Sequence, residues 1–455
     1  MKKLVRVTAI VAVAAAAGVL VFVAVHKSPT TVAPPATSTP QTSPPQTSPH
    51  QTSPHQTSPH QPPPTSAPQT EPQTAPPHTT SHYTVPSAIP DNCSSDASVA
   101  LNAWLGTLPD YAAISFPRGG ACYGVDNPID LLNRNGLSLV GNGATIEMLG
   151  TTANSQSGFN IITVDGGSNI SVSDMTLIGD NTSKSATGTN SVCSPAGPKE
   201  WQYGIAFNGT SVGSVTNVNI KDICGDFVEM QPFQGPAGSY QWSRPATNIT
   251  ISGGTFSVAG RQGMGLEDVE GATITGITMS HVGQEGIDLE DDAVGEGVVG
   301  SVALTDSSFS YIGDGVLADF GAQGGGIANG NITVSHNTQT HPVSCVPEVW
   351  GQGLNAKNPR TGFTITNNTF TPFSTMIYLK YFNNVTISGN VSKPVGNEGC
   401  GGIGIDAKYI DGAIVENNDF GPNVTRLART SNVTRVQACG NRDATGSNLP
   451  TACAG

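Results

Sequence analysis

The sequence predicts an all-β solenoid, a parallel β-helix whose coils each repeat one short strand. Three observations carry the prediction. First, an alternating motif recurs, beginning at Ile205, Val228, Met264, Ile287, Val316, Leu354, Ile377 and Ile405. Two residues on, the copies read Phe207, Met230, Leu266, Leu289, Ala318, Ala356, Leu379 and Ala407. Both columns are apolar and the residues between them mostly polar, which is the pattern of a strand with one buried face. Such a strand, repeated every few tens of residues, buries that face only by stacking on the next copy. Second, another β-like segment follows each of the last seven motifs, at 248–252, 272–276, 301–305, 331–335, 362–366, 384–388 and 412–416. Third, Asn337, Asn368, Asn390 and Asn418 occupy one equivalent place in successive coils. Asn tolerates left-handed backbone, and stacked amides can hydrogen-bond from coil to coil. A β-sandwich would leave these columns to coincidence.

Two segments precede the solenoid. Residues 1–27 hold an uncharged apolar run from Val7 to Val25 behind Lys2, Lys3 and Arg6. That length is near the lower limit for crossing a bilayer, with the basic end inside the cell. A signal peptide cleaved near Ala14–Ala17 competes, but it would leave Val19 to Val25 on the mature chain, so an uncleaved anchor is preferred. Either way the protein is exported, and this segment is its only expected link to a membrane. Residues 28–82 are Pro, Thr, Ser, Gln and His, with a Gln-Thr-Ser-Pro-His unit repeated at 46–60. Too few apolar residues are present to offset the entropy of ordering, so a disordered stalk is expected, with an extended reach on the order of 170 Å.

Residues 83–455 form the β-helix domain. The whole chain has a formal net charge of −13, and four of its basic residues but only one acidic residue lie before position 83, which leaves the domain at −16. Nucleic acid and anionic lipid demand a basic surface and are excluded as partners. All eight cysteines lie in this domain, and an even count in an exported chain reads as disulfides. Cys93 with Cys122, Cys193 with Cys224, Cys345 with Cys400, and Cys439 with Cys453 are the expected pairs. No Cys-X-X-Cys spacing supports a zinc site.

The domain resembles the secreted bacterial right-handed parallel β-helix proteins of the pectate-lyase superfamily, over residues from about Ile89 to the C-terminus. The segments 89–93, 100–104, 114–123 and 139–146 look like that superfamily's N-terminal cap, a short helix followed by the first coils. The resemblance implies a right-handed, single-stranded β-helix and includes lyases, hydrolases, epimerases and non-catalytic binders. Polygalacturonases of this fold carry Asn-Thr-Asp, Asp-Asp, Gly-His-Gly and Arg-Ile-Lys signatures. Here only Asp291 and Asp292 match.

In a β-helix, equivalent outward residues form a file at a spacing of ~4.8 Å. The alignment sets Glu267, Glu290, Asp319, Lys357, Lys380 and Lys408 in one file, with Glu229, Asp288, Asn355, Tyr378 and Asp406 beside it and Asp226, Gln262, Glu285, Asp314 and Gln352 in the turn before the strand. Two like charges about 5 Å apart repel by roughly 3 kcal/mol at an effective dielectric near 20. Either one carboxyl therefore keeps its proton, giving an acid beside a base, or a divalent cation such as calcium is held by Glu267, Asp288 and Glu290. The first outcome suits hydrolysis; the second suits elimination or epimerisation at a uronate. The candidate catalytic residues are Glu267, Asp288, Glu290, Asp319 and Lys357. Arg261, Asn355, Trp350, Tyr378 and Lys380 are the candidate substrate-binding residues, flanked by loops that hold Trp201, Tyr240 and Trp242. The expected function is a monomeric carbohydrate-active enzyme working on an extracellular or cell-wall polysaccharide. The alternative is a non-catalytic glycan-binding or adhesion module on a stalk.

Overall fold

The computed structural model describes residues 80–150, 159–181, 201–233, 244–290, 299–319, 330–353, 355–372, 375–393, 402–421 and 426–442. The segment 1–27 and nearly all of the stalk lie outside them, as do Tyr240, Trp242, Asp291 and Asp292. No helix among the described residues is long and apolar enough to cross a membrane.

The described chain winds through two parallel sheets, one of 21 strands and one of 11. One coil shows the plan: strand Met264–Glu267, then Val269–Thr275 in the same sheet, then Thr278–Val282 in the other. The next coil repeats it in register, with Met264 against Ile287, Ile274 against Leu304 and Met279 against Phe309. Along the inside run unbroken apolar stacks, Ile162, Ile205, Val228, Met264, Ile287, Leu317, Val349, Ile377 and Ile405 forming one of them. These residues are essentially inaccessible to water, so each coil's hydrophobic gain depends on its neighbours.

Two copies of the motif sit in another register than the alternation predicts. Leu317, not Val316, pairs with Ile287, which puts Asp319 opposite Leu289 on the inner face rather than opposite Glu290. The strand of the next coil is Val349–Gln352, not the segment beginning at Leu354. Gly351 there stands opposite Leu379, where a Cβ would strike the Leu379 and Phe382 side chains. The alternation in 316–319 fits either register, and only a partner for Asp319 decides between them. That partner is Arg360, whose guanidinium lies 3.0 Å from Asp319 Oδ1, both side chains being buried.

The asparagine ladder is present and longer than expected. Asn337, Asn368, Asn390 and Asn418 each donate from Nδ2 to Oδ1 of the next member, at 3.0, 2.9, 2.9 and 2.8 Å, ending on Asn441. Each also donates to a carbonyl of the preceding coil, as Asn368 does to Val334 O at 2.8 Å. The left-handed residues are not these but the ones just before them, His336, Asn367, Gly389 and Asn417. The ladder is thus held by satisfied buried amides. Asn368→Ala orphans groups on both neighbouring coils, and chemical denaturation is expected to show a loss of about 3 kcal/mol; a loss under about 1 kcal/mol would mean that water replaces the amide.

At the N-terminal end, helix Ser98–Leu105 covers the first coil by burying Leu101 and Leu105. Asp96 accepts from the Ser98 amide at 2.9 Å at the start of this helix, and the Cys93–Cys122 disulfide ties the cap to the sheet. The first strand is Ser81–Thr84, paired with 112–115, so Ser81 and His82 already belong to the β-helix rather than to the stalk. Cys224, Cys345 and Cys439 are also disulfide-bonded; the pairings expected with Cys193, Cys400 and Cys453 lie outside the described residues.

Candidate active site

The first strand of each coil carries the outer face in question. Its first outward file reads Thr163, Ala206, Glu229, Gly265, Asp288, Ala318, Trp350, Tyr378 and Asp406. The second contains Asp165, Asn208 and Gln231, then Glu267 opposite Glu290, and further on Gln352, Lys380 and Lys408. Gly265 has a physical reason to be glycine. Any Cβ there would collide with the Glu229 carboxylate, which leans across it from the preceding coil.

Around Gly265 the acids are packed at two depths. Glu229 and Asp288 are almost wholly buried, as are Asp226 and Glu285 in the turns before their strands. Glu267 and Glu290 are only partly covered. Burial, then repulsion from Glu267, Asp226 and Glu290, holds the Glu229 carboxyl well above the usual range, against the pull of Arg261. Burial likewise raises Asp226 to about 7, where Arg261 opposes it. Asp288 is pushed to about 9 by burial and by the Glu290 and Glu285 charges, although Gln262 donates to its Oδ2 at 2.8 Å. Glu285 rises to about 7, chiefly by burial. Tyr203 is buried beside Glu229 and Asp226, which keeps its hydroxyl protonated. Glu290 is the shared repulsive neighbour of Glu229, Asp226, Glu285 and Asp288.

Two carboxyl pairs influence each other's protonation, Glu229 with Asp226 and Asp288 with Glu290. The arrangement is therefore two half-buried acids on adjacent coils, Glu267 and Glu290, each neighbouring a buried carboxyl that holds its proton.

The sequence-derived candidates separate accordingly. Glu267, Asp288 and Glu290 come together as expected. Asp319 does not join them, because it faces inward and pairs with Arg360. Lys357 does not reach Asp319's file either: it is exposed in a turn where Asn355 Oδ1 accepts from the Lys357 and Asn358 amides at 2.9 and 3.1 Å. Arg261 lies 3.7 Å from Asp226 Oδ2, within the acid cluster. Trp350 and Tyr378 meet edge to face with centroids 5.9 Å apart. Beside them, Lys380 lies over Tyr381 and Lys408 over Tyr378, at 4.6 and 5.0 Å. Trp201 is well exposed. Asp226, Glu229, Gln262 and Glu285, which the alignment set in the neighbouring files, were not singled out as site residues; the signal that would have singled them out was the lone glycine between Glu229 and Asp288 in an otherwise side-chain-bearing file.

The acids are not gathered as a preformed metal site. Among the described residues, the one group of three ligand atoms from His, Cys, Asp or Glu lying within 4.8 Å of one another is Cys93, Cys122 and Glu147, and its two sulfurs form the disulfide. As they stand, Glu267, Asp288 and Glu290 make no such group.

No family model matches the chain, and no curated protein matches it. Among solved structures it is similar to the pre-mature gene product 12 of bacteriophage phi29, at 14% identity and a TM-score of 0.54, over 77% of this chain and 51% of that one. It is also similar to a mutant tailspike protein of E. coli bacteriophage HK620 in complex with pentasaccharide, at 11% identity and a TM-score of 0.52, over 77% and 64%. Endo-xylogalacturonan hydrolase from Aspergillus tubingensis aligns at 13% identity with a TM-score of 0.44, over 83% and 100%. The chain thus spans about half of the phi29 protein and just under two thirds of the tailspike. The likeness is one of fold, the parallel β-helix described above.

Proposed function

We propose that this chain is an exported carbohydrate-active enzyme that hydrolyses a polysaccharide with the carboxyl pair Glu267 and Glu290. The observation that carries the reading is the pairing of these two half-buried acids on adjacent coils, in front of carboxyls that keep their protons. Neighbouring strands stand ~4.8 Å apart, close to the ~5 Å separation of carboxyls in glycosidases that work through a covalent intermediate. We assign Glu290 as the nucleophile, beside Asp288, whose carboxyl is held well above the usual range by burial, and Glu267 as the acid.

In the first step Glu267 gives its proton to the glycosidic oxygen while a Glu290 oxygen bonds to the anomeric carbon, and the leaving sugar departs as an alcohol. In the second, Glu267 takes a proton from water, whose oxygen displaces Glu290 from the same carbon. The anomeric configuration is retained. The aromatic and lysine residues further along the face, Trp350, Tyr378 and Lys380, suit stacking and polar contact with more distant sugars. The pentasaccharide bound by the HK620 tailspike supports a glycan partner for this fold. Disulfides at Cys93–Cys122 and at Cys224, Cys345 and Cys439 support an oxidising compartment, with residues 1–27 as anchor and 28–80 as stalk.

The test is to incubate the soluble domain with a panel of neutral and uronate-containing polysaccharides, reading reducing ends and the absorbance of unsaturated sugars. New reducing ends with retained configuration by proton NMR are expected. Unsaturated products would replace hydrolysis by elimination, and glycan binding without any turnover would make the domain a binding module.

A further inference from the structure

We propose that Lys380 and Lys408 form a subsite for one oxyanion, and that the polysaccharide is a sparsely charged heteropolymer, neutral at the bond to be cut and bearing a carboxylate or sulfate some units away. The place of the cut rests on the hydrolytic reading above; the capture of an oxyanion by the lysines does not.

The argument begins with two like charges. Lys380 and Lys408 stand directly opposite each other on adjacent coils, in the outward file that also holds Glu267 and Glu290. Like charges so placed destabilise a sheet. The file itself supplies no counter-charge there, since it runs Gln352, Lys380, Lys408 and Ser431. Among the described residues no carboxylate lies within ion-pair distance of Lys380, whose ammonium has the Tyr381 ring at 4.6 Å instead. Lys408 lies 3.7 Å from Asp406 Oδ2 and 5.0 Å from the centre of the Tyr378 ring. Two ammoniums and one carboxylate leave a single positive charge, which one singly charged oxyanion between the lysines would balance.

The neighbouring tyrosines bear on what carries that oxyanion. The residue after the file position turns through left-handed backbone, as Asp268 does after Glu267 at φ 53° and Asn432 after Ser431 at 54°, types that tolerate it. After Lys380 and Lys408 the same place is taken by Tyr381 and Tyr409, at 63° and 55°, angles that bulky residues rarely adopt. Their rings stack at 5.0 Å, and Tyr409 is 41% exposed. Ammoniums set among aromatic rings suit a sugar that bears a charge, whereas nucleic acid or anionic lipid would need a broad basic surface. Position supplies the rest. Strands Leu317–Asp319 and Val349–Gln352 intervene, so Lys380 and Lys408 stand three and four coils from Glu290. At ~4.8 Å per coil those distances are ~14 and ~19 Å, beyond the screening length of ~8 Å at physiological salt. An anion at the lysines is thus screened from the acids, while one on the sugar at Glu267 and Glu290 would be repelled by them. Charged unit and cleaved bond are kept apart.

The experiment measures the Kd of polysaccharides for the full chain carrying Glu290→Gln, so that binding is read apart from turnover. The polymers are neutral xylan, xylan sparsely substituted with glucuronate, neutral agarose, sparsely sulfated agarose and fully charged polygalacturonate. At least one sparsely charged polymer should bind about tenfold or more tighter than its neutral backbone and than polygalacturonate, and which one does so names the anion. Adding Lys380→Met or Lys408→Met should each weaken that binding about tenfold, and raised salt should weaken it too. Lys380→Met should melt no lower than its parent, because it removes one of two opposed like charges. Equal affinity for neutral and sparsely charged polymers overturns the proposal. So do tightest binding to polygalacturonate, binding to none of the polymers, and unaltered affinity in both lysine variants. A polymer held through the lysines but left uncut by the wild type keeps the subsite and fails the hydrolytic reading. A neutral polymer cut by the wild type, with no preference for its charged form, does the reverse.

Discussion

Arg360→Met is expected to destabilise the β-helix by about 3–5 kcal/mol, the cost of leaving one member of a buried ion pair without its partner. Arg360 and Asp319 are both inaccessible to water inside the coil, with Arg360 in an inward position opposite Phe382. Once the guanidinium is gone, Asp319 either stays charged in an apolar interior or takes up a proton there. The double variant Asp319→Leu, Arg360→Met should recover most of the loss, since replacing a whole buried pair with apolar residues is often neutral. Urea denaturation of the two single variants and the double variant measures the coupling. If Arg360→Met and Asp319→Leu cost less than about 1 kcal/mol each and combine additively, the pair is not buried, and Asp319 belongs back on the outer face.

Glu290→Gln is expected to abolish turnover while raising thermal stability above neutral pH. Glu290 is the common repulsive neighbour of Glu229, Asp226, Glu285 and Asp288. The sign follows from linkage. Carboxyls whose folded values lie above their unfolded ones bind more protons when folded, so their stabilising contribution is complete at low pH and is lost as pH rises through the folded values. For Asp226 and Glu285 the loss extends to about pH 7, and for Asp288 to about 9. Wild-type stability should therefore decline from about pH 5 toward pH 9. Removing the Glu290 charge lowers its neighbours' folded values and reduces that decline. A gain of about 1–2 kcal/mol near pH 8, seen as an upward shift of about 2 °C or more in the melting temperature, should vanish near pH 4. A melting temperature that falls in Glu290→Gln at pH 8, with catalysis intact, would reduce the cluster to ordinary surface charge. The opposite pattern is that of a site retaining a repulsion which an inert surface would discard.

How far the chain could be read without its structure depended on how strongly each signal was repeated. Met264, Ile287, Ile377 and Ile405 stood out because the same alternation recurs in neighbouring coils. The Asn337–Asn418 ladder stood out because one residue type recurs at one place, although the left-handed backbone belongs to its preceding neighbours. Glu267, Asp288 and Glu290 were legible because their strands, 264–267 and 287–290, have the same pattern and pair in register. Signals failed where a coil departs from its neighbours. Gly351 left no apolar mark in strand Val349–Gln352, so the alternation at 354–357 drew Asn355 and Lys357 into a file they do not join.

By itself, then, the sequence determined that the chain is a parallel β-helix, where each coil's apolar face lies, and that acidic strands at 264–267 and 287–290 stack on one side of it. Period-two alternation is a local property, and repetition amplifies it from coil to coil. Only the tertiary structure decided which carboxyls are dry enough to keep protons, that Glu229 leans across Gly265, that Gln262 holds Asp288, and that Asp319 turns inward to Arg360. Those outcomes depend on desolvation and on partners 26 to 41 positions away in the chain, and neither burial nor a distant counter-charge is written into a strand's own pattern.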